Sequence, residues 1–191
     1  SSDLYTSVYV LPARNPMRVA KEIATLSALS GGRFDLGIGM GWMPEEFEAG
    51  GQEFRKRGKR ADEMIEVMKL LWTGGMVSFD GEFFQFDTLE MLPTPKNDIP
   101  IFVGGFSEPA LNRAANHDGW ISDMHSLKEL KVLIDNIEDK RAKAGKKNDY
   151  EHICFSCWDA FSLEGFAKMK ELGVTTMTTY PWMLYGAMND A

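Results

Sequence analysis

The sequence predicts an α/β fold built on a parallel sheet with helical crossovers. Three observations carry that expectation. Apolar residues switch repeatedly between a period of 2 and a period of 3.6 along the chain. Glycines close most of the helical stretches. Hydrophobic residues make up 44% of the 191 positions, which suffices for a sizeable core and excludes intrinsic disorder. Strands that alternate with helices pair in parallel, because parallel neighbours need a crossover connection. Periodicity leaves two architectures open: an open doubly wound sheet, and a (β/α)8 barrel short of two units.

The elements follow in order. Residues 4–11 are β-rich and end at Pro12. Asn15-Pro16 supplies an N-cap followed by proline at the first helical position. Val19, Ile23 and Leu26 recur at helical spacing, and Gly31-Gly32 ends that helix. A short apolar strand spans 34–40, and a loop with Pro44 and several acids follows. Ala61, Met64, Ile65, Met68 and Leu71 mark the next helix, which stops near Gly74-Gly75. Asp80-Gly81 reads as a two-residue type I′ turn, which places Val77, Phe79, Phe84 and Phe86 on one face of an inserted antiparallel hairpin. Proline-rich 92–100 leads to a strand at 101–103 and a helix from Ser107. A strand at 120–122 precedes a helix opened by the Ser126/Glu129 capping box, with Leu130, Leu133, Ile134 and Ile137 as its stripe. A strand at 153–156, a helix at 163–172 closed by Gly173 and a strand at 174–180 complete the alternation.

Charge and cysteine content narrow the classes of function. With 28 acidic and 21 basic residues the net charge is −7, which argues against nucleic acid as a partner. No apolar run approaches the roughly 20 residues that span a bilayer. The chain opens Ser1-Ser2-Asp3 without an initiator methionine, and we read it as a piece of a longer protein. Cys154 and Cys157 form a CxxC inside a strand-like run, so buried reduced thiols and a cytoplasmic setting are expected.

Two glycine-bearing strand ends are candidate sites. Gly37-Ile38-Gly39-Met40-Gly41-Trp42 lacks the sixth-position glycine and the immediate helix of a dinucleotide fingerprint. Its glycines either let a flat ligand approach the backbone or simply make a tight packing turn. In the second, residues 101–109, a strand runs into Gly104-Gly105, then Phe106, with Ser107 at a helix start. That arrangement suits a phosphate without any lysine, and an ordinary strand-to-helix turn is the alternative. Thr6-Ser7-Val8 reads as a buried mid-strand segment. His117, His125 and His152 show no metal spacing, and no Ser-His-Asp order is present. Trp42, Phe106, Trp120 and Trp182 fall near strand C-terminal ends, where they either wall a pocket or pack under loops.

Taken together, these segments resemble the luciferase-like monooxygenase superfamily, in particular its coenzyme F420-dependent branch. The residues that carry the resemblance are TSVYVLPARNP at 6–16, ATLSALSGGRFDLGIGMGW at 24–42 and RADEMIEVMKLLWTGGMVSFDGEFFQF at 60–86. PIFVGGFSEPALNRAANHDGW at 100–120 and ELGVTTMTTYPWMLYG at 171–186 complete the set. The resemblance implies one (β/α)8 TIM-barrel domain over 1–191, truncated at both ends, with strands three to eight and an inserted hairpin. It implies a non-proline cis peptide at Ser7–Val8 behind the cofactor ring, and a rim at Gly39, Gly41 and Trp42. It also implies a phosphate turn at Gly104, Gly105, Phe106 and Ser107. Some F420-dependent members carry an acid where this chain has Trp42. The implied cofactor is F420 or FMN, with a small organic substrate as hydride partner and a homodimer when intact. An FMN-dependent monooxygenase using O2 and a non-catalytic flavin-binding or structural relative are the rival readings. Catalytic acid–base residues are not assigned, and no metal is implied.

Overall fold

The computed structural model describes residues 3–180, and the chain divides into two compact units, Ser1–Pro100 and Ile101–Ala191.

In the first unit, strands β1 (Leu4–Tyr5) and β2 (Tyr9–Val10) both pair in parallel with β3 (Phe34–Gly39), through Leu4 opposite Phe34 and Tyr9 opposite Ile38. The strand expected over 4–11 is therefore two short strands. Between them Thr6 Oγ1 donates to the Gly37 carbonyl at 2.7 Å, and the Ser7–Val8 peptide is cis. Leu11–Ala13 leaves the sheet as a 3-10 turn, where Pro12 has no N–H to give a ladder. Helix α1 (Pro16–Ser30) starts as expected: Asn15 Oδ1 accepts from the N–H groups of Met17 at 3.0 Å and Arg18 at 3.2 Å. Gly31 ends it in the left-handed region at φ +69°.

The stretch after β3, expected as loop, contains a short helix, α2 (Pro44–Ala49). Pro44 pre-sets its first turn, Glu45 and Glu46 face the positive end of the dipole, and buried Phe47 anchors it. Helix α3 (Arg57–Trp72) buries Ala61, Met64, Ile65, Met68 and Leu71, the stripe expected from periodicity. Each large side chain of that stripe contributes about 1.5–3 kcal/mol through burial. The Trp72 indole donates to the Ala20 carbonyl at 3.0 Å and ties α3 to α1.

Strands β4 (Val77–Asp80) and β5 (Gln85–Leu89) form a separate two-stranded antiparallel sheet, as expected of an inserted hairpin. Its turn differs from the expected one. Asp80 pairs with Gln85, so residues 81–84 form a four-residue connection, and Gly81 does not adopt a positive φ. The reason lies on α3, where Glu63 reaches into the connection. Its carboxylate accepts from the N–H groups of Glu82 at 3.0 Å, Phe83 at 2.8 Å and Phe84 at 2.7 Å. Three charge-assisted bonds outweigh the local preference of an Asp-Gly pair. Phe79 and Phe86 still pair and stack, their ring centroids 6.1 Å apart.

In the second unit, β6 (Ile101–Gly104), β7 (Gly119–Ile121), β8 (Glu151–Phe155) and β9 (Thr176–Thr178) pair in parallel in sequence order. Helices α4 (Glu108–Ala114), α5 (Leu127–Lys143) and α6 (Leu163–Glu171) make the crossovers. Every strand sits beside its predecessor, without the order reversal of a doubly wound sheet. The Ser126 capping box forms in full: Ser126 Oγ accepts from the Glu129 N–H, and Glu129 accepts from the Ser126 N–H at 2.9 Å. Strand β8 begins at Glu151, earlier than the periodicity placed it, and β9 starts at Thr176.

This core also holds polar groups. The buried Arg141 guanidinium lies 3.9 Å over the Tyr150 ring and donates to the Asn148 carbonyl at 2.9 Å. His152 Nε2 and Glu138 Oε1 are 2.8 Å apart. Burial pulls the His152 imidazole below its ordinary value against the opposing pull of Glu138. Cys154 and Cys157 are buried and free, as expected, and burial pushes their thiols up to about 12 and about 11.

Candidate functional site

At the end of β3, Gly39 and Gly41 are hemmed in by the protein's own side chains. A Cβ on Gly39 would stand 2.6 Å from Val8 Cγ2, so glycine is what lets Val8 lie across the strand. Gly41 has φ +72°, and a Cβ there would stand 2.8 Å from Phe47 Cε2 and 2.9 Å from Val10 Cγ1. Arg57 completes this turn: its Nε donates to the Gly41 carbonyl at 3.2 Å while its guanidinium lies 3.8 Å over the Phe54 ring. Trp42, next along, is 80% exposed, and Ser7 and Val8 are exposed as well. Within the first unit, then, Val8 and Gly39 come together, and Gly41 follows as a packed turn.

The end of β6 is more open. Gly104 is buried as the last strand residue, whereas Gly105, Phe106 and Ser107 are exposed. Gly105 has φ +107°, a conformation that L side chains rarely adopt, and a Cβ there would meet only Ala110 Cβ, at 3.2 Å. Ser107 is the N-cap of α4 by backbone geometry, as expected, but its side chain makes no capping bond. Pro109 fills the first turn, and Glu108 pairs with Lys140 of α5. The first N–H groups of a helix have no intrahelical partner, so this turn presents exposed donors beside a residue that carries no side chain. A Cβ at Gly105 would intrude on that exposed backbone and crowd Ala110.

The aromatic residues divide. Trp42 and Phe106 are exposed. Trp120 is not a pocket wall: it is 0% exposed, and its Nε1 donates to the Gly105 carbonyl at 2.8 Å. A tryptophan on β7, one residue past Gly119, is buried because Val103 and His152 flank it in register. Trp182 and the 181–186 part of the quoted motif lie outside the described residues. His125 stands edge-to-face with Phe106, ring centroids 5.6 Å apart. Among the described residues no group of three His, Cys, Asp or Glu side chains is placed to hold a metal ion, and no helix is long and apolar enough to cross a membrane.

Sequence reasoning missed Arg57 and Glu63, and it singled out Trp120 without the role that Trp120 plays. Arg57 and Trp120 each hold the carbonyl of a left-handed glycine, and Glu63 holds the hairpin connection. Nothing in the local pattern announces them, because each acts on a residue 15 or more positions away. A cleft of about 240 Å³ lies beside that connection, lined by Gln52, Glu53, Lys56, Arg60, Glu82 and Phe83. Two cations and two carboxylates line it, and none of the expected site residues does.

Comparison with known proteins bears on this geometry. The luciferase-like monooxygenase family model matches residues 3–157. A Mycobacterium bovis protein of uncharacterized function is 42% identical over 168 residues, covering 88% of this chain and 58% of its own. The chain thus spans a little over half the length of that relative. An FMNH2-dependent dimethylsulfone monooxygenase from Pseudomonas fluorescens is 32% identical over 147 residues, 74% of this chain and 40% of that one. Among solved structures, an F420-dependent secondary alcohol dehydrogenase bound to an F420-acetone adduct superposes with a TM-score of 0.72 at 18% identity, covering 98% of this chain and 69% of that one. That likeness speaks for the fold alone. The fold class is the luciferase-like (β/α)8 barrel, of which the described residues supply fewer than eight strand–helix units. With the family model matching most of its length, the chain belongs to the luciferase-like monooxygenase family.

Proposed function

We propose that the protein is an oxidoreductase that exchanges hydride between F420 or FMN and a small organic substrate. The observation that carries this reading is the turn at Gly104–Ser107: a strand end opening through a left-handed glycine into exposed backbone, at a position where a side chain would crowd Ala110. Gly105, Phe106 and Ser107 would hold the cofactor phosphate by backbone N–H groups, and Gly104 ends the strand that aims them. Ser7, Val8, Gly39, Gly41 and Trp42 are read as a ring-binding element of the first unit, in which exposed Val8 offers an apolar surface. When bound, the flavin or deazaflavin supplies the two-electron chemistry. The chain's own residues bind, orient and exclude water.

The FMN monooxygenase reading, with O2 as oxidant, is favoured by the 32% identity to the dimethylsulfone enzyme. Titration of the chain with F420, FMN and reduced FMN separates the two, since the preferred cofactor binds at lower concentration. In either case the phosphorylated cofactor should bind at least tenfold more tightly than its phosphate-free core, which is roughly 1.4 kcal/mol. FMN against riboflavin tests one case, and F420 against its phosphate-free ribityl-deazaflavin core the other. Equal affinity within both pairs refutes the phosphate assignment.

A further inference from the structure

We propose that Trp120 is a positioning residue that aims a backbone donor of the Gly104–Ser107 turn outward, an inference that rests on the phosphate reading of that turn. The Trp120 side chain is wholly buried, and its single polar atom, Nε1, donates to the Gly105 carbonyl at 2.8 Å. The Gly105–Phe106 peptide is trans, since among the described residues the cis bonds lie at Ser7–Val8 and Leu92–Pro93. In a planar trans peptide the carbonyl and the following N–H point in opposite directions. Drawing the Gly105 carbonyl inward to the indole therefore turns the Phe106 N–H away from the core, toward the exposed side of the turn. Gly105 at φ +107° is free to rotate as few residues are, so the peptide needs an external restraint, and the indole N–H supplies it. The anchor is itself fixed: Trp120 pairs with Val103 and His152 in register, and its ring meets His152 edge-on at 6.3 Å.

A loss of the indole N–H should leave the ring packing in place and loosen only the peptide. Trp120→Phe removes the donor and part of the ring. Incorporation of the benzothiophene isostere of tryptophan at position 120 removes the donor and keeps the size, so a folding defect of the phenylalanine variant does not decide the result. The readout is the ratio of FMN to riboflavin affinity, with F420 and its phosphate-free ribityl-deazaflavin core as the second pair. A purely structural role for Trp120 lowers both affinities together and leaves the ratios unchanged. The proposal expects the phosphate-dependent ratio to fall about tenfold in both variants, with the affinity for the phosphate-free ring held within about twofold. Gly105→Val is the control that separates the two ideas. If it abolishes the ratio while the benzothiophene variant keeps it, the turn binds phosphate and the role of Trp120 is overturned. If the parent chain shows no ratio in either pair, the phosphate reading falls and the Trp120 role falls with it.

Discussion

The turn after β3 and the turn after β6 use the same backbone device for different ends. Each places a glycine in the left-handed region, Gly41 at φ +72° and Gly105 at φ +107°, and each holds that glycine's carbonyl with a side-chain N–H, from Arg57 and from Trp120. The difference lies in the space a Cβ would take. At Gly41 it is already occupied by Phe47 and Val10, while at Gly105 only Ala110 comes near. A left-handed glycine at a strand end can therefore be a packing solution or an open place for a ligand. The neighbouring side chains decide which, and the glycine itself does not.

Substitution at Gly41 should have the largest effect. Gly41→Val forces a β-branched residue to φ +72° and drives its Cβ within 3 Å of both Phe47 and Val10. Backbone strain of about 1–3 kcal/mol and a similar overpacking term add there, so we expect a loss of about 3 kcal/mol or more in urea unfolding. A loss under about 1 kcal/mol would show that the turn yields easily, and the contrast with Gly105 would dissolve.

Gly105→Val should cost less stability and more binding. Its Cβ meets only Ala110 Cβ at 3.2 Å, so the backbone term dominates, at about 1–3 kcal/mol, with little overpacking added. The matching measurement is unfolding and cofactor titration on the same preparations. A stability loss equal to that of Gly41→Val breaks the distinction between a filled and an open turn.

A pH change should act on the support of the second turn. His152 lies beside Trp120 in register, and it faces Glu138, Arg141, Tyr150 and Glu151. Burial holds its folded-state pKa below the ordinary 6.5, against the upward pull of Glu138. The unfolded chain therefore takes up the proton first as pH falls. The stability tied to neutral His152 is complete above about pH 6.5 and is lost as pH drops from there through the folded-state value. Glu108, Glu129 and Glu164 are held low by their partners and contribute in a separate window, below about pH 4.5. Unfolding followed between pH 7 and pH 5 should thus show a decline that His152→Gln flattens. An identical decline in the variant assigns the pH dependence to other groups.

The order of strands and helices was legible in the sequence because it rests on local rules. Asn15-Pro16, the Ser126/Glu129 box and the stripe from Ala61 to Leu71 all form as their spacing implies. What escaped was decided by distant partners. Asp80-Gly81 carries a hairpin signature, yet Glu63 on α3 captures three N–H groups and imposes a longer connection. Trp120 stands near a strand end, where an aromatic reads as a pocket wall, yet its indole finds Gly105 and stays inside. Helix α2 has too few residues for periodicity to reveal, and buried Phe47 is what holds it. The two candidate glycine turns were both visible in sequence, but which was filled depended on Val8, Val10, Phe47 and Ala110.

The smallest expected effect concerns Ser107, and it tests whether the β6 turn is built for stability at all. Three serines stand at helix N-caps in the second unit. Ser126 accepts from the Glu129 N–H and Ser162 from the Gly165 N–H, whereas Ser107 makes no side-chain capping bond. A serine cap that forms is worth about 1 kcal/mol, and removing one that does not form should change stability by less than about 0.5 kcal/mol. Ser126→Ala should therefore lower the urea-unfolding free energy by about 1 kcal/mol, and Ser107→Ala should leave it nearly unchanged. Pro109 and Glu108 already favour the start of α4, through a pre-set dihedral and a negative charge at the positive end of the dipole. Ser107 is thus dispensable to its helix, and its exposed hydroxyl is left available to a ligand. A Ser107→Ala loss as large as that of Ser126→Ala would mean that the hydroxyl caps α4 in solution, and the turn after β6 would then be closed by a side chain, as the turn after β3 is by Phe47 and Val10.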